Sequence, residues 1–252
     1  MISVVAVDLD ETLLRSDGSV SPCTLTTLAA WEAAGQRLVI ATGRPPRSAR
    51  RIPEALLHLP CVCYNGAAVY LHGAPIYART IPAHDTLFIV EQLLEAQVPG
   101  WIGIEIEDVL YINRRIEKWP HQYTPDLREA ATRPAAKILL SMEDYQAASA
   151  TFAAWPPSAR ALLSEKYNLA QIMPSGSSKA TALRHLMELW GLAMEEMAAF
   201  GDDVNDVEMV AEAGLGVAMD NAVAEVKAVA DRITASNDED GVALVVEELL
   251  RG

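Results

Sequence analysis

The sequence carries two acidic clusters nearly two hundred positions apart, and each directly follows a short apolar run. Val4–Val7 ends at Asp8, and Met197–Phe200 ends at Gly201 and Asp202. Short apolar runs that end abruptly in acid are typical of buried parallel strands, whose carboxyl ends form the ligand-binding edge of an open α/β sheet. If the two strands are neighbours, their carboxylates repel one another unless a divalent cation neutralises them. The chain is therefore predicted to form a parallel sheet with a metal site at one edge.

Composition and charge exclude several classes of function. The net charge of −14 argues against nucleic acid or an anionic membrane as the main partner, because both require a basic surface. The sequence has no apolar run of about 18 residues, so we expect no membrane span. Three cysteines form no paired framework, which favours a reducing compartment, and the N-terminus shows no secretory signal pattern. We expect a cytoplasmic protein.

Both ends of the chain alternate between strand and helix signals. Strands are predicted over 4–7, 37–41 and 61–64, and helices over 22–34 and 46–57. The alternation resumes near residue 179, with helices predicted over 179–190, 205–213, 222–229 and 242–251. Such alternation implies right-handed crossovers and a parallel sheet.

The middle of the chain has a different pattern. A hairpin is predicted over 69–81, followed by strands joined by tight turns with only two clear helices, over 84–96 and 143–154. The stretch 114–134 shows no clear helix. Strands joined by tight turns are typical of an antiparallel α+β module. The predicted fold class is α/β: a Rossmann-like parallel-sheet core with an inserted α+β domain. The predicted domains are a discontinuous core over 1–82 and 175–252 and an insertion over 83–174.

Asp8 and Asp10 suit covalent phosphoryl chemistry. Residues two apart in a strand face the same side, so both carboxylates are expected to point into one crevice. Asp8 can attack an electrophile to form an aspartyl intermediate. Asp10 can protonate the leaving oxygen and then deprotonate the water that breaks the intermediate down. The alternative is that both are ordinary cap or loop acids.

Two further strand and helix ends carry groups that can hold a phosphate. Thr42 offers a hydroxyl and Gly43 an approachable backbone N–H near a helix N-terminus. An ordinary strand-to-helix turn is the alternative for both. Lys179 opens a helix, where a cation is unfavourable to the helix dipole, and a bound phosphate facing the ammonium would explain this placement. The alternative for Lys179 is a surface lysine.

The second acidic cluster favours a magnesium site. Asp202, at the end of a strand, is the first-choice ligand, because Mg²⁺ takes a few carboxylates together with waters and substrate phosphate. Asp203 and Asp206 are either part of this site or simply acids at a helix N-terminus.

These motifs together resemble the haloacid-dehalogenase superfamily of phosphohydrolases, in particular its Cof-like branch, which carries a large α/β cap domain. The matching segments are, in chain order, Asp8–Leu13, Thr42–Arg44, Asn65-Gly66, Lys179 and Gly201–Asp206. The resemblance spans the whole chain, and by it the insertion over 83–174 is the cap.

The resemblance implies a role for each residue of the motifs. Asp8 is the nucleophile and Asp10 the general acid and base. Mg²⁺ is held by the Asp8 carboxylate, the Asp10 backbone carbonyl and Asp202. The remaining roles are phosphate or substrate binding by Thr42, Gly43, Lys179 and Asn205, and support of the metal or the lysine by Asp206 and Asp203.

The implied function is a Mg²⁺-dependent phosphatase that hydrolyses small phosphomonoesters through an aspartyl-phosphate on Asp8. Its partner is a small phosphorylated metabolite, with sugar phosphates as the expectation from the family. Two alternatives stay open. One is a phosphosugar mutase or phosphotransferase of the same fold, and the other is a non-catalytic sugar-phosphate sensor.

Overall fold

A computed structural model describes residues 1–117, 119–150 and 155–252. Within them the strands are β1 (Val4–Val7), β2 (Arg37–Ala41), β3 (Cys61–Cys63), β4 (Ala68–Leu71), β5 (Ala74–Ala78), β6 (Gly103–Ile106), β7 (Val109–Ile112), β8 (Gln122–Tyr123), β9 (Lys137–Ser141), β10 (Ala159–Ser164), β11 (Leu169–Pro174), β12 (Met197–Gly201), β13 (Leu215–Ala218) and β14 (Arg232–Ile233). The helices are α1 (Pro22–Ala33), α2 (Pro46–Ala49), α3 (Ala83–Glu95), α4 (Arg128–Ala131), α5 (Met142–Ser149), α6 (Lys179–Leu189), α7 (Val207–Glu212), α8 (Ala224–Val229) and α9 (Gly241–Arg251). The end of the predicted 143–154 helix, residues 151–154, lies outside the described residues.

The chain divides into two compact units. The first combines Met1–Tyr77 with Ser178–Gly252, and the second is Ala78–Ser177. The predicted insertion over 83–174 falls inside the second unit. No helix among the described residues is long and apolar enough to cross a bilayer.

The first unit contains an eight-stranded sheet with β1 near its centre. Among the described residues the strand order is β14-β13-β12-β1-β2-β3-β4-β5. The pairs from β14 to β3 are parallel, and β3 pairs antiparallel with β4. Val7 stands in register with Phe200 on one side and Ile40 on the other, so the residues that follow all three strands meet at one edge. The predicted α/β class with a parallel-sheet core is confirmed.

The helices of the first unit largely follow the predicted signals. Ser21 caps α1 by accepting the N–H of Thr24, and Gly35 follows the helix with a φ of +80°. The single helix predicted over 46–57 is wrong. The helix α2 ends at Ala49, and a separate 3₁₀ turn follows Pro53. Proline lacks a backbone N–H and disfavours a helical conformation in the residue before it, which explains the break.

The second unit is an antiparallel sheet packed on helices. Its strand order, within the described part, is β10-β11-β9-β6-β7-β8, with β7 and β8 parallel. Buried apolar side chains of α3, such as Ile89 and Leu93, share one hydrophobic cluster with Ile104 and Ile138 of the sheet. The stretch 114–134, in which no helix was predicted, contains the short helix α4. Four residues are too few for a periodic pattern to reveal.

Gly66 brings the turn after β3 against the start of α6. Its φ is +91°, and a Cβ built on it would lie 1.9 Å from the carbonyl oxygen of Ser178. Both the backbone conformation and the close approach therefore require glycine.

We predict that Gly66→Ala destabilises the protein by more than about 3 kcal/mol, because positive φ and a backbone clash act together. The matched control is Gly18→Ala, where φ is also positive (+81°) but nothing lies within 4 Å of the added Cβ. That control should cost about 1 kcal/mol. Urea unfolding of both variants measures the difference, and equal losses would contradict the proposed close packing.

Candidate active site

The residues that follow β1 form an unusual turn. Residues Leu9–Leu13 make one π-helical turn, in which the N–H of Leu13 donates to the carbonyl of Asp8 at 3.1 Å. Within the turn Glu11 has a left-handed φ of 58°. Asp8 and Asp10 therefore do not share one face of a strand, as the spacing of two residues had suggested. The strand ends at Val7, and the turn sends the two carboxylates to different partners.

Asp8 faces a buried lysine. Nζ of Lys179 donates to Oδ1 of Asp8 and to Oδ1 of Asp206, at 2.6 Å in both cases. Lys179 is 1% exposed although it is the first residue of α6. The unfavourable position of a cation at a helix N-terminus is thus offset by two carboxylates. The alternative of a surface lysine is wrong.

Hydrogen bonds between the Asp206 carboxylate and backbone N–H groups hold the second acidic cluster together. Oδ2 of Asp206 accepts the N–H of Asp202 at 3.0 Å and that of Asp203 at 3.2 Å. A Cβ on Gly201 would lie 2.3 Å from the Cβ of Asp206, so glycine is needed for this close approach. Oδ1 of Asp202 accepts the hydroxyl of Thr12 at 2.7 Å. Thr12 thereby ties the turn after β1 to the loop after β12.

Burial and the charges of this cluster shift the pKa values of Asp8 and Lys179. Burial raises the pKa of the Asp8 carboxyl well above its usual value. Lys179 opposes this rise. The neighbouring carboxylates of Asp206, Asp202 and Asp10 add to it. Burial alone would lower the pKa of Lys179, but the carboxylates of Asp206 and Asp8 outweigh it and raise that pKa above its usual value. The acids thus carry more negative charge than one ammonium balances.

The donor set fits a divalent cation. One carboxylate oxygen from each of Asp8, Asp202 and Asp206 lies within 4.8 Å of the others, and all three residues are buried. Buried carboxylates repel one another unless a cation or a proton neutralises them. Hard oxygen ligands around an excess negative charge are the set that Mg²⁺, Ca²⁺ and Mn²⁺ bind.

The predicted phosphate-binding residues lie on neighbouring loops. Thr42 is fully buried, and its Oγ1 accepts the N–H of Arg44 at 3.1 Å. A Cβ on Gly43 would lie 2.7 Å from Oδ1 of Asn65, and that oxygen accepts the side-chain N–H of Asn205 at 2.9 Å. A close approach between Gly43 and Asn65 and a hydrogen bond between Asn65 and Asn205 therefore connect the loops after β2, β3 and β12.

The carboxylate of Asp10 stands apart from the cluster of the other acids. It accepts two hydrogen bonds from Arg44, from Nε at 2.8 Å and from Nη2 at 2.5 Å. Sequence reasoning gave no role to Arg44 or to the bond between Thr12 and Asp202. Arg44, Thr12 and Asp202 all lie within the matching motifs, which was the available signal. The contacts of Arg44 with Asp10 and of Thr12 with Asp202 depend on the π-helical turn, which no local sequence pattern predicts.

Comparison with a family model places the chain among known proteins. The model described as haloacid dehalogenase-like hydrolase matches residues 5–246. That match covers nearly the whole chain.

Curated relatives and solved structures agree with this match. The 5-amino-6-(5-phospho-D-ribitylamino)uracil phosphatase YitU of Bacillus subtilis (strain 168) is 30% identical, over 97% of this chain and 96% of the relative. The pyridoxal phosphate phosphatase YbhA of Escherichia coli (strain K12) is also 30% identical, over 95% and 96%. The crystal structure of TM0651 from Thermotoga maritima superposes with a TM-score of 0.84 at 29% identity, and covers 98% of this chain and 97% of that one.

The family predicted from the motifs is therefore confirmed, together with the hydrolase class of the enzyme. The chain belongs to the haloacid dehalogenase-like hydrolase family, whose relatives named above are phosphatases.

Proposed function

We propose that this protein is a Mg²⁺-dependent phosphatase that hydrolyses small phosphomonoesters through an aspartyl-phosphate on Asp8. The observation that carries the proposal is the contact between the buried Asp8 carboxylate and Lys179 at the carboxyl end of β1. The ammonium at 2.6 Å opposes the rise in the pKa of Asp8 that burial causes. It thereby supports the ionised carboxylate, which is the form that can attack phosphorus.

The reaction divides into two steps. In the first, an oxygen of Asp8 forms a bond to phosphorus while the ester P–O bond breaks, and the leaving oxygen takes a proton from Asp10. In the second, water attacks the aspartyl-phosphate and gives its proton to Asp10. Inorganic phosphate leaves, and both carboxyl groups return to their starting forms. One residue thus acts as general acid and then as general base.

The phosphoryl oxygens need donors that are fixed before the substrate binds. The hydroxyl of Thr42, the N–H of Gly43 and the side chains of Lys179 and Asn205 are the proposed donors. Their loops are joined by hydrogen bonds and by close backbone contacts, so little reorganisation is needed when charge develops in the transition state.

Asp8 and Asp202 would hold the cation, with the backbone carbonyl of Asp10 as a third protein ligand. Asp206 is the support of this group, because its oxygens accept from Lys179 and from two backbone N–H groups. Asp203 is a neighbour that helps to shape the same loop. When bound, Mg²⁺ would neutralise charge on the phosphoryl group and the carboxylates.

The names of the relatives support a small phosphorylated metabolite as substrate. One relative is named for a phosphorylated ribityl compound and another for pyridoxal phosphate. We propose the second unit, residues 78–177, as the cap that selects among such compounds. The proposed phosphoryl-binding groups all lie in the first unit, which leaves the second unit to contact the rest of the substrate. The size and the α+β fold of the second unit also support this role.

We predict that Asp8→Asn lowers phosphate release from pyridoxal phosphate and p-nitrophenyl phosphate by more than about a thousandfold, because no nucleophile remains. The far-UV spectrum and the unfolding midpoint should stay close to those of the unchanged protein. The matched control is Asp126→Asn, which alters an exposed carboxylate paired with Arg128 and should leave turnover unchanged.

Two results would contradict this proposal. Full turnover by Asp8→Asn would exclude the covalent step, and tight binding of phosphate esters without any turnover by the unchanged protein would favour a sensor. Transfer of the phosphoryl group to an added sugar phosphate, in place of release to water, would indicate a mutase.

We predict that Mg²⁺ raises the unfolding midpoint of the protein, because a ligand that binds only the folded state stabilises it. Asp202→Asn should weaken Mg²⁺ binding, measured by calorimetry, by at least about tenfold, since it removes a charged ligand. Asp203→Asn, which changes the adjacent carboxylate, should weaken binding less. An equal Mg²⁺ affinity in the unchanged protein and Asp202→Asn would contradict the assigned ligand.

A further inference from the structure

Arg44 donates two parallel hydrogen bonds to the Asp10 carboxylate. Nε donates to Oδ2 at 2.8 Å and Nη2 to Oδ1 at 2.5 Å. This fork-to-fork arrangement fixes both the position and the plane of the carboxylate, which a single contact does not.

Arg44 is itself held from two sides. Its backbone N–H donates to Oγ1 of Thr42, at the end of β2. Its third nitrogen, Nη1, donates to the carbonyl of Ser48 in α2 at 3.3 Å. The guanidinium therefore spans from the loop after β2 to the turn after β1, and its orientation is set by the protein rather than by solvent.

The orientation of the Asp10 carboxylate depends on the two hydrogen bonds from Arg44, because the side chain is partly exposed to solvent. The Asp10 side chain is 43% exposed, whereas that of Asp8 is 8% exposed. An exposed carboxylate on a short turn samples several rotamers, and general acid catalysis requires a donor within hydrogen-bond reach of the leaving oxygen. Holding the carboxylate in one orientation removes the entropic cost of selecting the productive rotamer during the reaction.

We propose that Arg44 is a positioning residue that orients the Asp10 carboxyl toward the leaving-group oxygen. The inference rests on the proposed function, since it assigns a task within the first step of that reaction. Arg44 acts through Asp10 and makes its contribution when the leaving oxygen needs a proton.

A series of aryl phosphates separates this task from binding of the phosphoryl group. Phenolates with strongly withdrawing substituents leave without protonation, whereas unsubstituted phenolate needs a proton. The value of kcat/KM reports the steps up to departure of the phenol, so it isolates the first step. Binding of the phosphoryl group, in contrast, is common to every member of the series.

We predict that Arg44→Ala lowers kcat/KM for phenyl phosphate by about 100-fold, the scale of a general acid's contribution. For p-nitrophenyl phosphate the loss should be less than about threefold, because proton donation contributes little there. The slope of log kcat/KM against the pKa of the leaving phenol therefore steepens. In an Asp10→Asn background, adding Arg44→Ala should change that slope no further.

Arg44→Lys tests whether geometry or charge matters. Lysine keeps the positive charge but cannot form the two-point contact, so this variant should show the steep slope of Arg44→Ala. The matched control is Arg232→Lys, which breaks a similar two-point contact to Glu248 on the surface and should leave the slope unchanged.

An equal loss for phenyl and p-nitrophenyl phosphate would overturn the inference, as would a shallow slope for Arg44→Lys. Crystal structures of the unchanged protein and Arg44→Lys give a readout without turnover. Asp10 should occupy one rotamer in the first and several in the second, and the same single rotamer in both would also overturn it. Because this comparison needs no reaction, it separates a failure of the inference from a failure of the proposed function.

Discussion

The balance of charge around one buried ammonium governs the architecture of the site. Lys179 contacts Asp8 and Asp206 at 2.6 Å, and the carboxylate of Asp202 completes a group of three acids within 4.8 Å. Taking each of these charges out of water costs several kcal/mol, which only close pairing and further hydrogen bonds can offset. One ammonium does not balance three carboxylates. Burial raises the pKa of the Asp8 carboxyl, and the neighbouring carboxylates add to that rise. A divalent cation is the natural complement of that excess.

The parallel sheet is what makes this concentration of charge attainable. Thr12 and Asp202 are separated by 190 positions in the sequence, yet β1 lies next to β12, so the loops that follow the two strands emerge at one edge. Small residues then allow the loops to approach. Gly201 makes room for Asp206, and Gly66 makes room for the start of α6. The pairing of β1 with β12 and β2 sets the positions of the loops that follow these strands.

How far the sequence predicts this arrangement depends on the range of the interactions involved. The strands, the capped helix α1 and the convergence of Asp8 and Asp202 follow from apolar runs and from the rule that ligands bind at the carboxyl ends of strands. The place of Lys179 beside them was indicated only by its position at a helix N-terminus and by the family resemblance. The separation of Asp10 from the other acids does not follow. It depends on the left-handed backbone of Glu11 and on a partner, Arg44, that is remote in sequence. Pro53 was a local signal that the helix predicted over 46–57 is broken, and the prediction did not take it into account.

The most direct test of the account is rapid acid quenching of the Asp10→Asn variant during turnover of p-nitrophenyl phosphate. Asparagine cannot take the proton of the attacking water, so the second step slows while the first, which needs no acid with this leaving group, continues. We expect a burst of p-nitrophenol, and a phosphoryl group found on Asp8 by peptide mass spectrometry. A phosphoryl group on another residue, or phosphate released to water without any phosphorylated protein, would contradict it.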